Sequence, residues 1–465
     1  MRTLAFLLLF SALRLYAQVA PFETVWGQTQ HTDLVRSVKQ ISSGSIFTVG
    51  FSAVDGSAFT QAALHKLSEN GQHIWTIYFG DSLNDYGLNL QITQSGQLLI
   101  CGETQTAANG QDAFIALFDT SGTQLWRYTY GGAQNESAKS ITETADGFFV
   151  AAGYVSSGTG SNDVLILRTD AAGNLVSLNA FGNSDNDYGQ AIQALPDSGC
   201  IVAGDTKDPT NGDYNVLCFR LDKNGNVLWM NTYGDSHENG SQGLTLLSDG
   251  TFIVCGESHT ASSPAFDFSF DKIDLSGAEQ WRSTFGGAGS DAAFSVLEVY
   301  GGYLLCGYSS SYSPGPISAV IARTDTAGNL LWARSIPDSS ISILYELIPA
   351  LSGNYLAAGN TSNGADDQCL LLHSDAAGWT FLSEMAAAEE EFVFPNPGSA
   401  AAPVLYLPAS ATIVRAEIFS ASGKLILSKP VYDAIRPDSA LPEGVYFVKL
   451  FAENGAVTTL RWILL

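Results

Sequence analysis

Positively charged residues are scarce in this sequence, and their scarcity excludes several kinds of partner. Lys and Arg number 21 against 46 Asp and Glu, which gives the 465-residue chain a formal net charge of −25. Nucleic acids and anionic membrane surfaces are bound largely through clustered Lys and Arg. We therefore expect no nucleic-acid partner. The acidity is typical of an extracellular protein surface, and cation binding is the alternative explanation.

Long hydrophobic runs are also scarce. The one at residues 4–15 follows Arg2, contains Arg14 and is shorter than the roughly 20 residues of a membrane-spanning helix. The run ends at Leu15, and Leu15-Tyr16-Ala17 before Gln18 resembles a small-residue cleavage site. The sequence thus predicts a signal peptide over residues 1–17, and no transmembrane segment after it.

Catalytic and metal-binding motifs are missing from the sequence. It contains no H-E-x-x-H, no G-x-S-x-G, no phosphate-binding loop and no C-x-x-C, and these are the short motifs that carry the commonest chemistry. His65 and His373 lie in strand-like runs, which favours a packing role. We expect no metal site and no cofactor, with calcium as the one exception that acidic loops allow. An enzyme is disfavoured but not excluded, because a site can be assembled from residues far apart in sequence.

What the sequence does contain is one cassette repeated seven times. The clearest copy spans residues 119–153, with Trp126 and, after an apolar run, Gly153. That glycine recurs in steps of 51 or 52 residues, at Gly50, Gly102, Gly153, Gly204, Gly256, Gly307 and Gly359. Each copy holds four strand-like segments separated by turns such as Asp146-Gly147. Four short strands and their connections account for about 50 residues.

The repeat predicts an all-β fold, a seven-bladed β-propeller. Residues 148–152 and 164–167 are continuously apolar, so both faces of those strands must be buried. Sheets stacked around an axis provide that burial, and repeats of this length are typical of propellers. An open stack of sheets is the competitor, but it needs capping repeats. We predict that residues 22–26 close the ring as the outer strand of blade seven, with residues 379–383 as the alternative.

A tryptophan recurs at one place in five copies, five residues before a Gly or Pro: Trp75, Trp126, Trp229, Trp281 and Trp332. Such a side chain can be a platform for sugars or bases, but packing between blades is the interpretation we favour. Ser177 and Leu382 take its place in two copies, which predicts weaker packing there.

Export makes disulfides chemically accessible, so the cysteines need placing. Cys101, Cys255 and Cys306 each precede the repeat glycine, which indicates small core residues. If Gly204 pairs with Tyr214, then Cys200 and Cys218 lie opposite each other, as a cross-strand disulfide or as adjacent buried thiols.

The loops between the second and third strands, and between blades, are long and must lie on one face, the long-loop face. Binding residues are often carried by such loops. One carboxylate recurs there, five residues after the glycine of an aromatic-Gly pair such as Tyr130-Gly131. It is found at Asp85, Glu136, Asp187 and Asp291. These four are the candidate binding residues, for a cation or a basic group; the alternative is that each caps its loop. Asp112, Asp163 and Asp213 allow the same two interpretations.

The repeat stops at an acidic linker, residues 386–391, so we predict a propeller domain over residues 18–385 and a second domain over residues 392–465. Short alternating strands with Pro and Gly turns predict a small Ig-like β-sandwich in this second domain.

Two parts of the sequence resemble known families. The pattern D-x-x-G-x-x-x-W, as in Asp119, Gly122 and Trp126, resembles the tryptophan-docking motif of quinoprotein-type propellers, and implies their fold. The chain lacks the vicinal cysteines that quinone-dependent dehydrogenases often carry. The repeats are equally similar to uncharacterised secreted propeller arrays that often precede bacterial sorting domains.

Residues 394–465 resemble the type A carboxy-terminal sorting domain of the type IX (Por) secretion system. The residues that match its three motifs in order are Pro395, Asn396 and Pro397, then Gly423 and Lys424, then Gly444 and Tyr446. The resemblance implies the secretion machinery as a partner, passage through the periplasm, and a secreted or outer-surface location.

The function that these features favour is a secreted or surface-displayed binding or adhesion module for an unknown extracellular protein or glycan. A polysaccharide hydrolase or lyase on the same scaffold is the second hypothesis, and a quinoprotein-like oxidoreductase is the third.

Overall fold

The structure is a computed structural model. It describes residues 21–27, 32–53, 59–81, 83–106, 110–156, 161–235, 237–260, 263–313, 316–336, 341–362, 366–374, 383–384, 405–406, 413–420, 425–430, 434–435, 444–452 and 457–464.

The residues from 22 to 373 form seven antiparallel sheets that pack side by side in a closed ring, the predicted seven-bladed β-propeller. Strands a to d of each blade run from the central channel outward. Blade 1 is Asp33–Gln40, Ile46–Ala53, Thr60–Leu67 and His73–Phe79; blade 2 is Asp85–Ile92, Leu98–Thr106, Gly110–Phe118 and Gln124–Tyr130. Blade 3 is Glu136–Glu143, Phe149–Ser156, Asn162–Thr169 and Leu175–Phe181; blade 4 is Asp187–Ala194, Cys200–Lys207, Tyr214–Leu221 and Val227–Tyr233. Blade 5 is Asn239–Leu246, Phe252–Thr260, Ser263–Ile273 and Glu279–Phe285; blade 6 is Asp291–Val299, Gly302–Ser309, Ser318–Thr324 and Leu330–Ser335. Blade 7 is Ile341–Pro349, Tyr355–Ser362, Asp367–His373 and, from the start of the chain, Phe22–Trp26.

The amino-terminal strand closes the ring, as predicted. Phe22–Trp26 pairs antiparallel with Asp367–His373 as strand d of blade 7. The competing segment is described only at Ser383–Glu384, which pairs with strand d of blade 6 instead. Residues 379–382 lie outside the described part of the chain. Joining the first strand to the last repeat leaves no end blade with an unpaired apolar face.

The closure also explains the two histidines in strand-like runs. The ring of Phe22 stacks on His373 with centroids 5.1 Å apart, and Trp26 donates its indole N–H to Nδ1 of His65 at 3.2 Å. Both imidazoles are buried, and burial lowers the pKa of each. His65 therefore packs the join between blades 7 and 1, and His373 packs against the closing strand within blade 7.

The recurring tryptophans pack between blades, as predicted. A Cβ atom added at Gly173 of blade 3 would lie 3.0 Å from the ring of Trp126 of blade 2, so the tryptophan rests directly on this turn glycine. Three further pairs make the same contact: Trp75 on Gly122, Trp229 on Gly277 and Trp281 on Gly328. Where Ser177 replaces the tryptophan, a Cβ atom added at Gly225 would have no neighbour closer than 4.0 Å. A narrow cleft lies there between blades 3 and 4.

The predicted juxtaposition of Cys200 and Cys218 is wrong. Strand b of blade 4 continues past Gly204 to Lys207, which pairs with Tyr214, so the register shifts by three residues from the expected one. Cys200 lies opposite Leu221, and Cys218 lies opposite Ala203. The two thiols belong to hydrophobic clusters on opposite sides of the blade, and both are free and buried.

Near the carboxyl terminus, the described strands Ile413–Ser420, Leu425–Pro430, Gly444–Ala452 and Val457–Leu464 form one antiparallel sheet in the order second, first, third, fourth. Gly444 and Tyr446 lie in its third strand. The predicted signal peptide and linker, and the motif residues Pro395, Asn396, Pro397, Gly423 and Lys424, lie outside the described residues. The sandwich and its role in sorting therefore stay predictions. In the described part of the chain, no helix is long and apolar enough to cross a membrane.

Candidate functional site

A β-bulge interrupts strand a of every blade at the same point. In blade 3, Ala138 pairs with Gly153 and Ser140 with Ala152, which leaves Lys139 as the extra residue. Bulges turn a side chain away from the regular alternation, and here the extra residue lines the central channel. The seven bulged residues are Arg36, Leu88, Lys139, Gln190, Gln242, Phe294 and Tyr345. All of them line an axial cavity of about 880 Å³.

The repeat glycine lies within strand b, directly opposite the bulge. Strand b of blade 3 continues past Gly153 to Ser156. A Cβ atom at Gly153 would lie 1.8 Å from the carbonyl oxygen of Ser137, so only glycine fits against the bulged backbone. The six equivalent glycines would meet the equivalent carbonyl at 1.7 to 2.0 Å. This steric demand gives the sequence its period.

The four predicted binding carboxylates cap loops in four different blades. Each is the first residue of strand a and is buried, and each accepts a hydrogen bond from the backbone N–H four residues earlier. The donors are Asp81 to Asp85 at 2.9 Å, Gly132 to Glu136 at 3.4 Å, Asn183 to Asp187 at 2.7 Å and Gly287 to Asp291 at 3.3 Å. Asp291 also accepts from the hydroxyls of Ser309 and Ser311. These contacts are those of the loop-capping alternative, and the structure does not bring the four together.

Three of these carboxylates face a second acid across the glycine that follows strand d. A Cβ atom at Gly131 would lie 2.4 Å from Oδ1 of Asp112 and 2.7 Å from Oε2 of Glu136. Burial, and then Asp112, raises the pKa of Glu136 to about 7, so this pair retains a proton near neutral pH. Two further pairs of acids have the same arrangement, Asp163 with Asp187 and Asp267 with Asp291. Between blades 4 and 5, both positions of the pair are asparagines, Asn215 and Asn239. Asp213 is therefore not a member of this series, because Asn215 holds its place.

A second, smaller pocket lies elsewhere on the long-loop face, where the channel opens between blades 3, 4 and 5. Its cavity measures about 210 Å³. Its lining consists of aromatic, acidic and amide side chains with one lysine: Lys139, Tyr188, Gln190, Asp205, Tyr214, Glu238, Gly240, Gln242, Glu257 and Phe266. Convergent polar groups in an aromatic-walled pocket are the usual form of a small-ligand site.

One side of the pocket is a complete hydrogen-bond chain. The Lys139 ammonium donates to Oε1 of Gln190 at 2.8 Å, and Gln190 donates through Nε2 to Oδ2 of Asp205 at 2.7 Å. The other oxygen of Asp205 accepts from the N–H of Ser241 at 2.7 Å and from its hydroxyl at 3.0 Å. Burial lowers the pKa of Lys139, opposed by Asp205 and by Glu103 in the channel. This side is fixed in place before any ligand arrives.

The other side of the pocket carries acids with no partner. Among the described residues, neither the Glu238 nor the Glu257 carboxylate takes part in a hydrogen bond or an ion pair. Burial, followed by the charges of Asp205 and Glu238, raises the pKa of Glu257 to about 7. A half-buried carboxyl with a raised pKa in a pocket is a typical feature of functional sites.

Aromatic rings form the walls beside these acids. Tyr188 and Tyr214 pack with centroids 6.2 Å apart, and Phe266 stacks on His259 at 3.8 Å. The Lys139 ammonium lies 5.4 Å from the centroid of Tyr188. The rings offer stacking surfaces, and no three His, Cys, Asp or Glu side chains of the described residues form a metal-binding group.

Sequence reasoning missed this pocket, although a signal for it exists. The residue after each repeat glycine changes its chemistry from blade to blade: Phe51, Glu103, Tyr154, Asp205, Glu257, Tyr308 and Asn360. Asp205 and Glu257 are two members of that series.

Comparisons with known proteins concern the fold alone. No family model and no curated protein matches the sequence. Among solved structures, the chain is similar to the WD40 domain of Neurospora crassa Pan2, with 11% identity, 74% of this chain and 91% of that one covered, and a TM-score of 0.45. It is also similar to Sqt1 from Chaetomium thermophilum, with 11% identity, 76% and 100% coverage and a TM-score of 0.42. A Hadza microbial sialidase, Hz136, shows 10% identity, 71% and 75% coverage and a TM-score of 0.43.

Proposed function

We propose that this chain is an exported binding protein whose ligand site is the aromatic and acidic cavity on the long-loop face. The observation that carries the proposal is the coexistence, in one cavity of about 210 Å³, of a fixed hydrogen-bond chain and unpaired acids. The rigid ring of blades positions the hydrogen-bond chain, and the unpaired acids leave negative charge for a ligand to neutralise. The volume is below the roughly 300–1,000 Å³ of typical drug-sized pockets, so the site takes one ring or one side chain of a larger molecule.

A cavity-filling variant tests the proposal. Gly240 lines the pocket, and a Cβ atom there would be at ordinary contact distance, 3.4 Å, from Glu257. Gly240→Phe should therefore fold and block the site. We expect the full chain to retain ligands in a glycan and extracellular-protein array, with and without calcium, and Gly240→Phe to lose them.

Gly132→Phe is the matched control for that experiment. Gly132 lies on the same face, with no atom within 4 Å of an added Cβ, so this variant should bind as the unmodified chain does. Equal retention by both variants would remove the cavity from the function.

Export through the type IX system is the second part of the proposal. Its support is the order of three sequence motifs between Pro395 and Tyr446, together with the signal-like residues 1–17. Deleting residues 394–465 should leave the protein inside the cell envelope, as measured by fractionation and immunoblotting. Undiminished secretion of the truncated chain would contradict the sorting assignment.

A polysaccharide hydrolase is the second candidate, because Glu257 has a pKa of about 7 and shares its pocket with Asp205 and Glu238. Glycoside hydrolysis uses a pair of carboxyl groups, one of which is an acid with a raised pKa. Release of reducing sugar from polysaccharides by the full chain, lost in Glu257→Gln, would favour this candidate over simple binding.

A further inference from the structure

The cavity has an unbalanced charge that its own residues do not neutralise. Asp205, Glu238 and Glu257 are the acids of its wall, and Lys139 is its one cation. The Lys139 ammonium is already hydrogen-bonded to Gln190 and faces Glu103 on the channel side. The excess negative charge is on the side of Glu238 and Glu257.

The carboxylate of Glu257 is uncovered because of a departure from the repeat. Gly240 pairs directly with Glu257 across strands a and b of blade 5. The equivalent position of the other blades carries a side chain: Leu34, Tyr86, Ser137, Tyr188, Ala292 and Ile343. The missing side chain at Gly240 opens the cavity onto Glu257.

The remaining walls suit a cation better than an anion. Tyr188, Tyr214 and Phe266 line the cavity, and aromatic faces attract ammonium groups through their quadrupole. The Lys139 ammonium of the cavity already makes such a contact with the ring of Tyr188. A second cation, from a ligand, would meet the same walls together with two unpaired acids.

We propose that the group bound in this cavity is an alkylammonium cation, held between the Glu238 and Glu257 carboxylates and the rings of Tyr214 and Phe266. This inference rests on the proposed function and names its ligand class. The cation comes either from a small free amine or from a lysine side chain of an extracellular protein, and both present the same chemistry. A neutral sugar can stack on the rings but leaves the charge of the acids in place.

Calorimetric titration of the full chain with n-butylammonium and tetramethylammonium chloride at low salt tests the proposal. We expect saturable binding that weakens at least tenfold in Glu257→Gln. Phe266→Leu, which keeps apolar volume and removes the ring, should weaken it severalfold. Asp81→Asn changes the charge equally at an exposed residue of the long-loop face and should leave binding unchanged.

A lysine-containing peptide and its acetylated form distinguish the two sources. Binding of the unmodified peptide, at least as tight as that of n-butylammonium and lost on acetylation, assigns the site to a protein side chain. Tighter binding of the free amine assigns it to a small molecule. Identical titrations for the unmodified chain and Glu257→Gln would overturn the proposal.

The failure of this inference differs from failure of the proposed function. If an array ligand no longer binds to Gly240→Phe but binds to Glu257→Gln as it does to the unmodified chain, the cavity remains the binding site and the cation is refuted. A ligand insensitive to Gly240→Phe would refute the site itself, and the cation with it.

Discussion

Glu103 in blade 2 and Glu257 in blade 5 hold the same position, directly after the repeat glycine, in different surroundings. Burial raises the pKa of Glu103, and Ser137, the Lys139 ammonium and the Arg36 guanidinium oppose that rise. Burial and two further acids raise the pKa of Glu257, and no cation or hydrogen-bond donor opposes it. Glu103 therefore offsets the cations inside the channel, while Glu257 leaves a negative charge for a ligand.

The compensated acid, Glu103, provides the reference for this comparison. Glu103→Gln removes one of the carboxylates that face Lys139 and Arg36, two half-buried cations of the channel. Burial still raises the pKa of Glu103 on balance, but Ser137, Lys139 and Arg36 offset most of that cost, so we expect the unfolding free energy to change by less than about 0.5 kcal/mol. The measurement is urea denaturation at pH 7.

Asp81→Asn, an exposed acid-to-amide change, is the control for Glu103→Gln. If Glu103→Gln is stabilised over this control as much as Glu257→Gln is, Glu103 is not compensated as described, and its contrast with Glu257 disappears.

Glu257→Gln should have the larger effect on stability, and its size should depend on pH. The folded-state pKa of about 7 lies above the ordinary glutamate value of 4.5. Below pH 4.5 the group is protonated in both states, and its contribution to stability is fully present; this contribution is lost as the pH rises through 7. The variant does not have this loss. We expect it to be about 1 kcal/mol more stable than the unmodified chain at pH 8, and equal to it near pH 4, since each unit of pKa difference is worth about 1.4 kcal/mol and solvent screens part of it.

Differential scanning calorimetry of both proteins at pH 4, 6 and 8 measures this difference. Because Glu136 also titrates near pH 7, only the difference between the two proteins is informative. A constant difference across the three pH values would show that Glu257 is compensated, like Glu103.

The contrast between the two glutamates marks the limit of what the sequence predicts. The seven blades, their closure by Phe22–Trp26 and the docking of Trp126 all follow from one period and its fixed landmarks. The pocket does not, because its walls come from Lys139 to Phe266 in three blades. A bulge also changes which face a strand residue occupies, so alternation along strand a does not reveal that Lys139 and Gln190 enter the channel.

The same limit explains the error at the two cysteines, and why the sequence leaves two interpretations of the recurring acids. Cys200 and Cys218 were misplaced because the register between strands depends on where strand b ends, and Gly204 lies inside that strand. The sequence indicates the recurring acids as candidate binding residues, with loop capping as the alternative. A buried acid that recurs in register, such as Asp291 with its four hydrogen-bond donors, is instead explained by its loop.

Departure from the repeat is not sufficient to make a site, and the smallest expected effect tests that point. Ser177 departs from the tryptophan of its repeat, as Gly240 departs from the side chains of its own, but the resulting cleft between blades 3 and 4 is narrow and lies beside Cys200 and Leu221. Ser177→Trp should rest on Gly225 as Trp126 rests on Gly173, and raise the unfolding free energy by about 0.5 kcal/mol, since area buried against the turn is partly offset by imperfect fit. Binding of n-butylammonium should not change. Loss of that binding in Ser177→Trp, with stability unaltered, would place the cleft in the functional site and remove the distinction between a packing defect and a pocket.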